Sequence, residues 1–360
     1  MQHVNRAVAR LKNQTIPETA VDWRNWMKPS EVSRVVPAES LAEECKRQIL
    51  LGREAESGMT LPWTYSQGKV LIRPGKLAVW TGWSHHGKSQ MLKQVMLHAI
   101  HRGEKVLIAS MEEEIGDVWR DMARLYVGNS DPTPRAIDSF VRFVTGKLWL
   151  YDQQGVVEAE RMIAVSRYAA SELRTTQAVI DSLMMLAVSR DDYDAQSRFV
   201  GELKSAAKDT QQTIHLVAHM RKRDGKGSDE SPGTAHDIAG GHEIASKADY
   251  VFNVWRDKSR KDESEPSCIL SVDKQRGQTN WIGKIKLYFH ADSRQYVENP
   301  RHPIQFQDPW SDDEGRQRAQ AQPGKMAANS TSNGPAQRTA DREPGCDDEQ
   351  GSEVEGGYQF

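Results

Sequence analysis

The chain has 360 residues, 38% of them hydrophobic, and a formal net charge of −2. It lacks a run of about eighteen apolar residues, which excludes a transmembrane helix, and Met1–Gln14 is polar and basic with no apolar stretch, which excludes a secretory signal. Three widely spaced cysteines, Cys45, Cys268 and Cys346, exclude a zinc ribbon or a disulfide scaffold and fit a reducing cytoplasm.

The charge is unevenly placed. From Asp308 to Phe360 there are 11 acidic and 5 basic residues, so this stretch carries −6 and the rest of the chain about +4. A mildly basic body with an acidic tail is compatible with nucleic acid binding.

Residues 1–36 are polar, with Trp23, Trp26 and Met27 as isolated apolar anchors. They are too few to form a core, and the expectation is an arm that docks on the body or on a neighbouring subunit. Ser40-Leu-Ala-Glu43 is a capping box that opens a helix over about Leu41–Glu54. Residues 1–56 are therefore taken as an arm plus linker helix, and 57–300 as the main domain.

The apolar run Leu77–Thr81 reads as a buried strand. It leads into Gly82-Trp83-Ser84-His85-His86-Gly87-Lys88-Ser89, which fits the phosphate-loop pattern G-x-x-x-x-G-K-[ST]. Gln90–Arg102 follows with helical apolar spacing at Met91, Leu92, Val95, Met96, Leu97 and Ile100. The two glycines let backbone N–H groups point at phosphate oxygens, and the helix N-terminus adds its positive end. Lys88 can neutralise the β- and γ-phosphates, Ser89 can ligate Mg²⁺, and residues 82–90 together form the expected nucleotide site. A nucleoside triphosphate, ATP or another such as dTTP, with Mg²⁺ is the expected ligand.

Strands are predicted over Lys105–Ser110, Lys147–Tyr151, Ala178–Met185 and Thr213–Ala218. Helices are predicted over Ile115–Val127, Val156–Leu173 and Gln196–Asp209. Three apolar runs follow without helices between them: Tyr250–Trp255, Cys268–Val272 and Ile282–Phe289. This alternation predicts an α/β fold with a mostly parallel sheet, helices on both faces and antiparallel strands at one edge. After Asp308 the polar composition predicts disorder.

In such a sheet, ligand-binding residues gather at the carboxyl ends of strands. Glu112 follows one strand and could orient and deprotonate an attacking water; equally, it could be the acidic start of a helix. Asp181 ends an apolar strand in the form that holds Mg²⁺. His219 ends another and could sense the γ-phosphate, or be a hydrogen-bonded structural histidine. Lys274 and Arg276 follow a late strand and could reach a phosphate on a neighbour, or form a solvated turn. Arg221, Lys222, Arg223 and Lys226 lie among glycines and polar residues and suit contact with a phosphate backbone, or a solvated charge run. Gly240-Gly241 would let a nucleic-acid strand approach closely.

The ordered set Gly82–Ser89, Ser110-Met-Glu112, Val179-Ile-Asp181, Leu216-Val-Ala-His219, Asp237–Asp249, Val254-Trp-Arg-Asp-Lys258 and Lys274-Gln-Arg276 resembles the DnaB-like (superfamily 4) replicative helicases, and especially the helicase half of phage primase-helicases. The resemblance covers roughly residues 50–295. It implies a RecA-like P-loop NTPase core assembled as a hexameric ring, with nucleotide between subunits and DNA unwinding in the 5′→3′ sense. It implies Glu112 as catalytic base, Asp181 on the Mg²⁺ side, His219 as phosphate sensor, and Lys274 with Arg276 reaching the neighbour's nucleotide, Arg276 as arginine finger. Residues 221–226 and 237–245, including Gly240, Gly241 and His242, would line a channel for single-stranded DNA.

The family's usual amide is replaced by Ser246, and its usual Ser-Gly by Gly241-His242. Residues 1–50 are shorter than the usual collar domain, so ring assembly is expected to rest on the 1–56 segment packing against the adjacent subunit, or on a separate protein. The acidic stretch 308–360, ending in Tyr358 and Phe360, is expected to dock a replication partner such as a polymerase, primase or single-strand-binding protein. The expected setting is the host cytoplasm of a phage-encoded protein. A recombinase-like strand-exchange ATPase and a non-unwinding regulatory or loader ATPase are the alternatives.

Overall fold

A computed structural model describes residues 15–16, 26, 42–51, 57–186, 192–221, 230–234, 237–239, 242–260, 265–277, 280–301, 303–304 and 306. In chain order these residues form β1 (Thr15–Ile16), α1 (Ala42–Leu51), β2 (Leu77–Gly82), α2 (Lys88–His101), β3 (Val106–Ser110), α3 (Ile115–Val127), α4 (Pro134–Val144), β4 (Leu148–Tyr151), α5 (Ala159–Glu172), β5 (Gln177–Asp181), α6 (Tyr193–Thr210), β6 (Thr213–His219), α7 (His242–Lys247), β7 (Tyr250–Arg256), β8 (Cys268–Gln275), β9 (Gly283–His290) and β10 (Gln295–Val297). The tail from 307 onward lies outside the described residues.

One sheet runs in the order β1-β4-β3-β5-β6-β2-β7-β8-β9-β10. The first seven strands are parallel, and the last three are antiparallel additions. The sequences Leu-Ala-Val-Trp-Thr-Gly, Val-Leu-Ile-Ala-Ser and Gln-Ala-Val-Ile-Asp are buried at every position. Continuous apolar runs of this kind are what a parallel sheet covered on both faces requires. On one face Ala78, Trp80, Ile108 and Val217 pack with α2, α3 and α4. On the other Leu77, Val79, Ile180 and Leu216 pack with α5, α6 and Ile244 of α7. The expected α/β architecture is the observed one.

The differences are local. α4 is an element that the predicted set lacks; it begins at Pro134. The proline follows Thr133, whose side chain accepts from Ala136 N at 3.3 Å. Proline is tolerated there because its missing N–H has no helical partner to lose. β5 stops at Asp181, and a short 3₁₀ turn, Leu183–Met185, replaces the expected strand end. Residues 237–245 are not a free loop throughout. Ile238, Ile244 and Ala245 are buried in the core and His242–Lys247 is helical.

Part of the arm does dock on this chain's own body. Thr15 and Ile16 extend the sheet beside Leu150 and Tyr151, and the Trp26 ring meets Tyr168 edge-on at 5.5 Å. The linker helix α1 leaves Ile49 and Leu50 about four-fifths exposed. At the other end the domain runs past residue 300, since Phe306 is buried in the core and Gln295 exchanges hydrogen bonds with the Ile304 backbone.

Candidate nucleotide site

Strand register builds the site. β2 pairs with β6 so that Gly82 lies beside His219. β6 pairs with β5, and β5 with β3 so that Asp181 lies beside Ser110. Four adjacent carboxyl ends thus carry, side by side, the loop 82–89, His219, Asp181 and the Glu112 segment.

The loop has the conformation its glycines require. Gly82 has φ 145° and Gly87 φ 85°. An added Cβ at Gly82 would collide with the Val254 carbonyl oxygen, and one at Gly87 with the Tyr296 hydroxyl. Ser84 and His85 are exposed, while Trp83 and His86 are buried. His86 Nδ1 accepts from the Arg256 backbone N–H at 3.1 Å. Gln90 points away from the loop interior, and its amide donates to the Arg294 carbonyl at 2.8 Å. α2 starts at Lys88, two residues before the expected position, so Lys88 and Ser89 belong to the first turn.

Lys88 Nζ donates to the carbonyls of Gly82 (3.0 Å) and Trp83 (2.9 Å), and lies 3.5 Å from His219 Nδ1. Burial lowers its pKa to about 8, against the attraction of Asp181 and Glu112. It is therefore still charged at neutral pH and poised toward anions. Glu112 Oε1 meets His219 Nε2 at 3.2 Å and accepts from the Ser182 hydroxyl. The hydrogen bond from His219 is the main force that holds the Glu112 carboxyl down at about 2. A single imidazole thus links the loop lysine to the acidic residue after β3.

Asp181 is the member whose environment asks for a cation. Burial pushes its carboxyl up to about 6, and the Ser89 hydroxyl donates to it. Its Oδ1 is buried with no hydrogen-bond partner among the described residues. An ionised carboxylate held this way is costly unless paired. A Mg²⁺ ion, which needs few protein oxygens beside substrate phosphates and water, fits Ser89 and Asp181. Among the described residues no cluster of three His, Cys, Asp or Glu side chains offers an all-protein cage.

The sign of the Asp181 shift yields a prediction. The folded value, about 6, exceeds the ordinary 3.8. The unfolded chain therefore loses its proton first, and the penalty builds between pH 3.8 and about 6 and is complete above that. Asp181→Asn should stabilise the ligand-free protein at pH 7.5 by about 1–3 kcal/mol, with the gain gone near pH 4, while hydrolysis falls. Thermal melts at both pH values check this, and equal melting temperatures for variant and wild type at pH 7.5 would refute it.

Lys274 and Arg276 do not join this cluster. Their expected place is a carboxyl strand end on the loop side, but β8 is antiparallel. Its last residues pair with the first of β7, Gln275 with Tyr250. Arg276 N–H donates to the Asp249 carbonyl, and Asp249 N–H to the Leu77 carbonyl. Both cations therefore sit by the start of β2, roughly 17 Å of strand away from the loop. There Lys274 Nζ donates to the carbonyls of Ala245 and Ser246, both at 2.7 Å. Arg276 donates to the Ser246 carbonyl (3.1 Å) and lies 3.6 Å from Asp249.

Of the predicted DNA-contacting residues, Arg221 is exposed and its N–H donates to the Asp237 carbonyl. His242 opens α7. Lys222, Arg223, Lys226, Gly240 and Gly241 lie outside the described residues.

Three features escaped the sequence reading. Arg256 stacks over the Phe289 ring at 4.2 Å, next to His86 of the loop, a cation–π pair of planar groups. The two are far apart in sequence, and nothing local links them. Lys93, on α2, is 6% exposed and paired with Glu113 (2.6 Å) and Asp121 (3.1 Å), which ties the helix to the segment bearing Glu112. Helical spacing hints only that Lys93 is on an inward face. Gln94 is fully buried and exchanges hydrogen bonds with the Tyr296 backbone, so β10 buttresses α2.

The family model described as the DnaB-like helicase C-terminal domain matches residues 70–298. A DNA helicase/primase of Enterobacteria phage T3 is 24% identical over 246 residues, covering 62% of this chain and 43% of that protein. The chain thus spans less than half the length of this curated relative. Two solved structures share the fold. One, an ATPase domain, superposes with a TM-score of 0.62 at 13% identity, covering 74% of this chain and 99% of that one. The other, a DnaB-like replicative helicase solved with its interactions with primase, gives 0.61 at 12% identity, covering 82% and 76%.

Proposed function

The chain belongs to the DnaB-like helicase C-terminal domain family, and from this we propose that it is an NTP-hydrolysing motor that translocates 5′→3′ on single-stranded DNA and unwinds duplex DNA in replication. The observation that carries the reading is the continuous contact from Lys88 through His219 to Glu112 across adjacent strand ends.

Each side chain has a task in this reading. Loop N–H groups and Lys88 bind the phosphates. Ser89 and Asp181 would hold Mg²⁺, which neutralises charge on the phosphate oxygens. Glu112, ionised at neutral pH, orients the attacking water. A carboxylate held near 2 is a weak base, so it gains basicity when His219 turns from it toward the γ-phosphate. His219 then reports the state of that phosphate to Met220 and Arg221, which follow it in the chain.

Lys274 and Arg276 cannot serve their own subunit's loop from the opposite sheet edge, which supports action on a neighbour's nucleotide in a hexameric ring. The exposed Ile49 and Leu50 of α1 support a subunit contact through the linker helix. The basic residues from Arg221 to Lys226 and the glycines at 240–241 would line the DNA channel. A polymerase, primase or single-strand-binding protein docking on the acidic tail, and action in the host cytoplasm, complete the reading.

The test is nucleotide hydrolysis with and without single-stranded DNA, beside unwinding of a forked duplex. Stimulation by DNA together with fork opening is expected. Hydrolysis indifferent to DNA with no unwinding would sink the motor reading and favour a switch or loader ATPase.

A further inference from the structure

Lys93 is a cation in a buried place. It lies on α2, four residues beyond Ser89, and so on the same helical face one turn further on. Only 6% of its side chain is exposed, yet it holds two carboxylates, Glu113 Oε2 at 2.6 Å and Asp121 Oδ2 at 3.1 Å. Asp121 Oδ1 in turn lies 3.4 Å from Arg294 Nη1. The Arg294 carbonyl accepts from the Gln90 amide at 2.8 Å, back on the first turn of α2. The charges in this network balance, two of each sign.

Stability alone does not call for such a network. Taking Lys93 and Asp121 out of water is costly, and well-packed apolar residues of similar volume often serve a fold as well or better. What the charges add is direction, since each carboxylate is held at one point.

The turn that Lys93 grips carries Glu112. Met111 anchors its start: the Met111 N–H donates to the Asp181 carbonyl at 2.8 Å, and the Met111 carbonyl accepts from the Gly155 N–H at 3.2 Å. The Ser110 hydroxyl accepts from the Glu113 N–H at 3.3 Å. Beyond Met111 the two glutamates part. Glu112 meets His219 and Ser182, whereas Glu113 meets Lys93. They are not far apart. After burial, the charges of Glu112 and then of Glu113 push the Asp181 carboxyl upward. Freed from Lys93, Glu113 would stand beside Asp181 and Glu112 as an uncompensated third carboxylate.

We propose that Lys93 is a positioning residue for hydrolysis: its grip on Glu113 and Asp121 fixes the turn 110–114 against α2, so that Glu112, and not Glu113, faces the nucleotide. α2 begins with Lys88 and Ser89. One helix therefore places the phosphate-binding lysine directly and the water-orienting carboxylate through Lys93. The inference rests on the reading above in which Glu112 orients the attacking water.

The experiment uses full-length wild type, Lys93→Met, which keeps an unbranched chain without the charge, Glu112→Gln, and the double variant. Single-turnover hydrolysis at saturating nucleotide and Mg²⁺ is measured beside equilibrium nucleotide binding. Lys93→Met should slow hydrolysis about tenfold to a hundredfold, the scale of a misplacement of up to about 1 Å, with nucleotide Kd within about twofold. Added to Glu112→Gln, it should slow hydrolysis no further, because it acts through Glu112. An equal loss in both backgrounds, or a loss of nucleotide affinity in step with the rate, marks a merely structural role and overturns the inference. So does an unchanged rate in Lys93→Met, which leaves the role of Glu112 standing. A Glu112→Gln variant as fast as wild type removes both. If Lys93→Met does not fold, Glu113→Gln, which leaves Lys93 paired with Asp121, is read by the same criteria.

Discussion

Lys88→Ala should reduce nucleotide hydrolysis at least about a hundredfold, the scale seen when one preorganised group facing transition-state charge is removed. Lys88 is buried, and its Nζ bridges the carbonyls of Gly82 and Trp83. A phosphate would draw it from these two carbonyls at little cost in reorganisation. Truncation does more than delete a contact. Asp181 and Glu112 both face Lys88, and without it two carboxylates share a site with no cation between them. Nucleotide affinity should fall along with turnover. Steady-state hydrolysis and titration with a fluorescent nucleotide measure the two effects. A variant retaining a tenth of wild-type turnover would mean that hydrolysis in this protein does not depend on the Lys88 ammonium.

Glu112→Gln should separate binding from chemistry. The amide keeps an oxygen that can accept from Ser182 and His219, so the neighbours need not rearrange. What is lost is the negative charge that orients water and takes its proton. Loss of a positioned base is worth about 10²–10⁴ in rate, and kcat should fall by that amount with nucleotide affinity nearly unchanged. Single-turnover hydrolysis beside equilibrium binding checks this. If affinity collapses with the rate, Glu112 is an architectural residue. If neither changes, the acidic turn after β3 is only the start of α3, as its position before Ile115 also allows.

The two variants probe different depths of the site. Lys88 sits on the first turn of α2, at a position dictated by the loop sequence. Glu112 comes from β3, two strands away from β6 in the sheet order. It meets His219 only because β5 lies between them and the ends are in register. Double-mutant cycles between Glu112 and His219 would show coupling if the 3.2 Å contact operates in turnover.

Much of this protein is determined by local sequence. The phosphate loop announces itself because its chemistry needs fixed residue types at fixed spacing, between an apolar strand and a helix. Leu77–Gly82, Val106–Ser110, Gln177–Asp181 and Thr213–His219 are continuous apolar runs, and such runs belong to a parallel sheet buried on both faces. Glu112, Asp181 and His219 are findable because each follows such a run. The three-layer architecture follows from the alternation of strands and helices.

Strand order and register were decided elsewhere. The helix-free run of the last three strands already predicted antiparallel pairing, but only the register of β8 on β7 shows that this direction carries Lys274 and Arg276 to the end of the sheet opposite the phosphate loop. Arg256 over Phe289 and Gln94 against Tyr296 are partners separated widely along the chain. Each pairing depends on the register of several strands at once. Periodicity and capping report which face of an element is apolar and where it begins. They carry no information about which element lies beside it, because that is set by the combined packing of both sheet faces and the short crossovers between them. The members of the candidate nucleotide site were therefore legible residue by residue, whereas the contacts that join them exist only in the folded sheet.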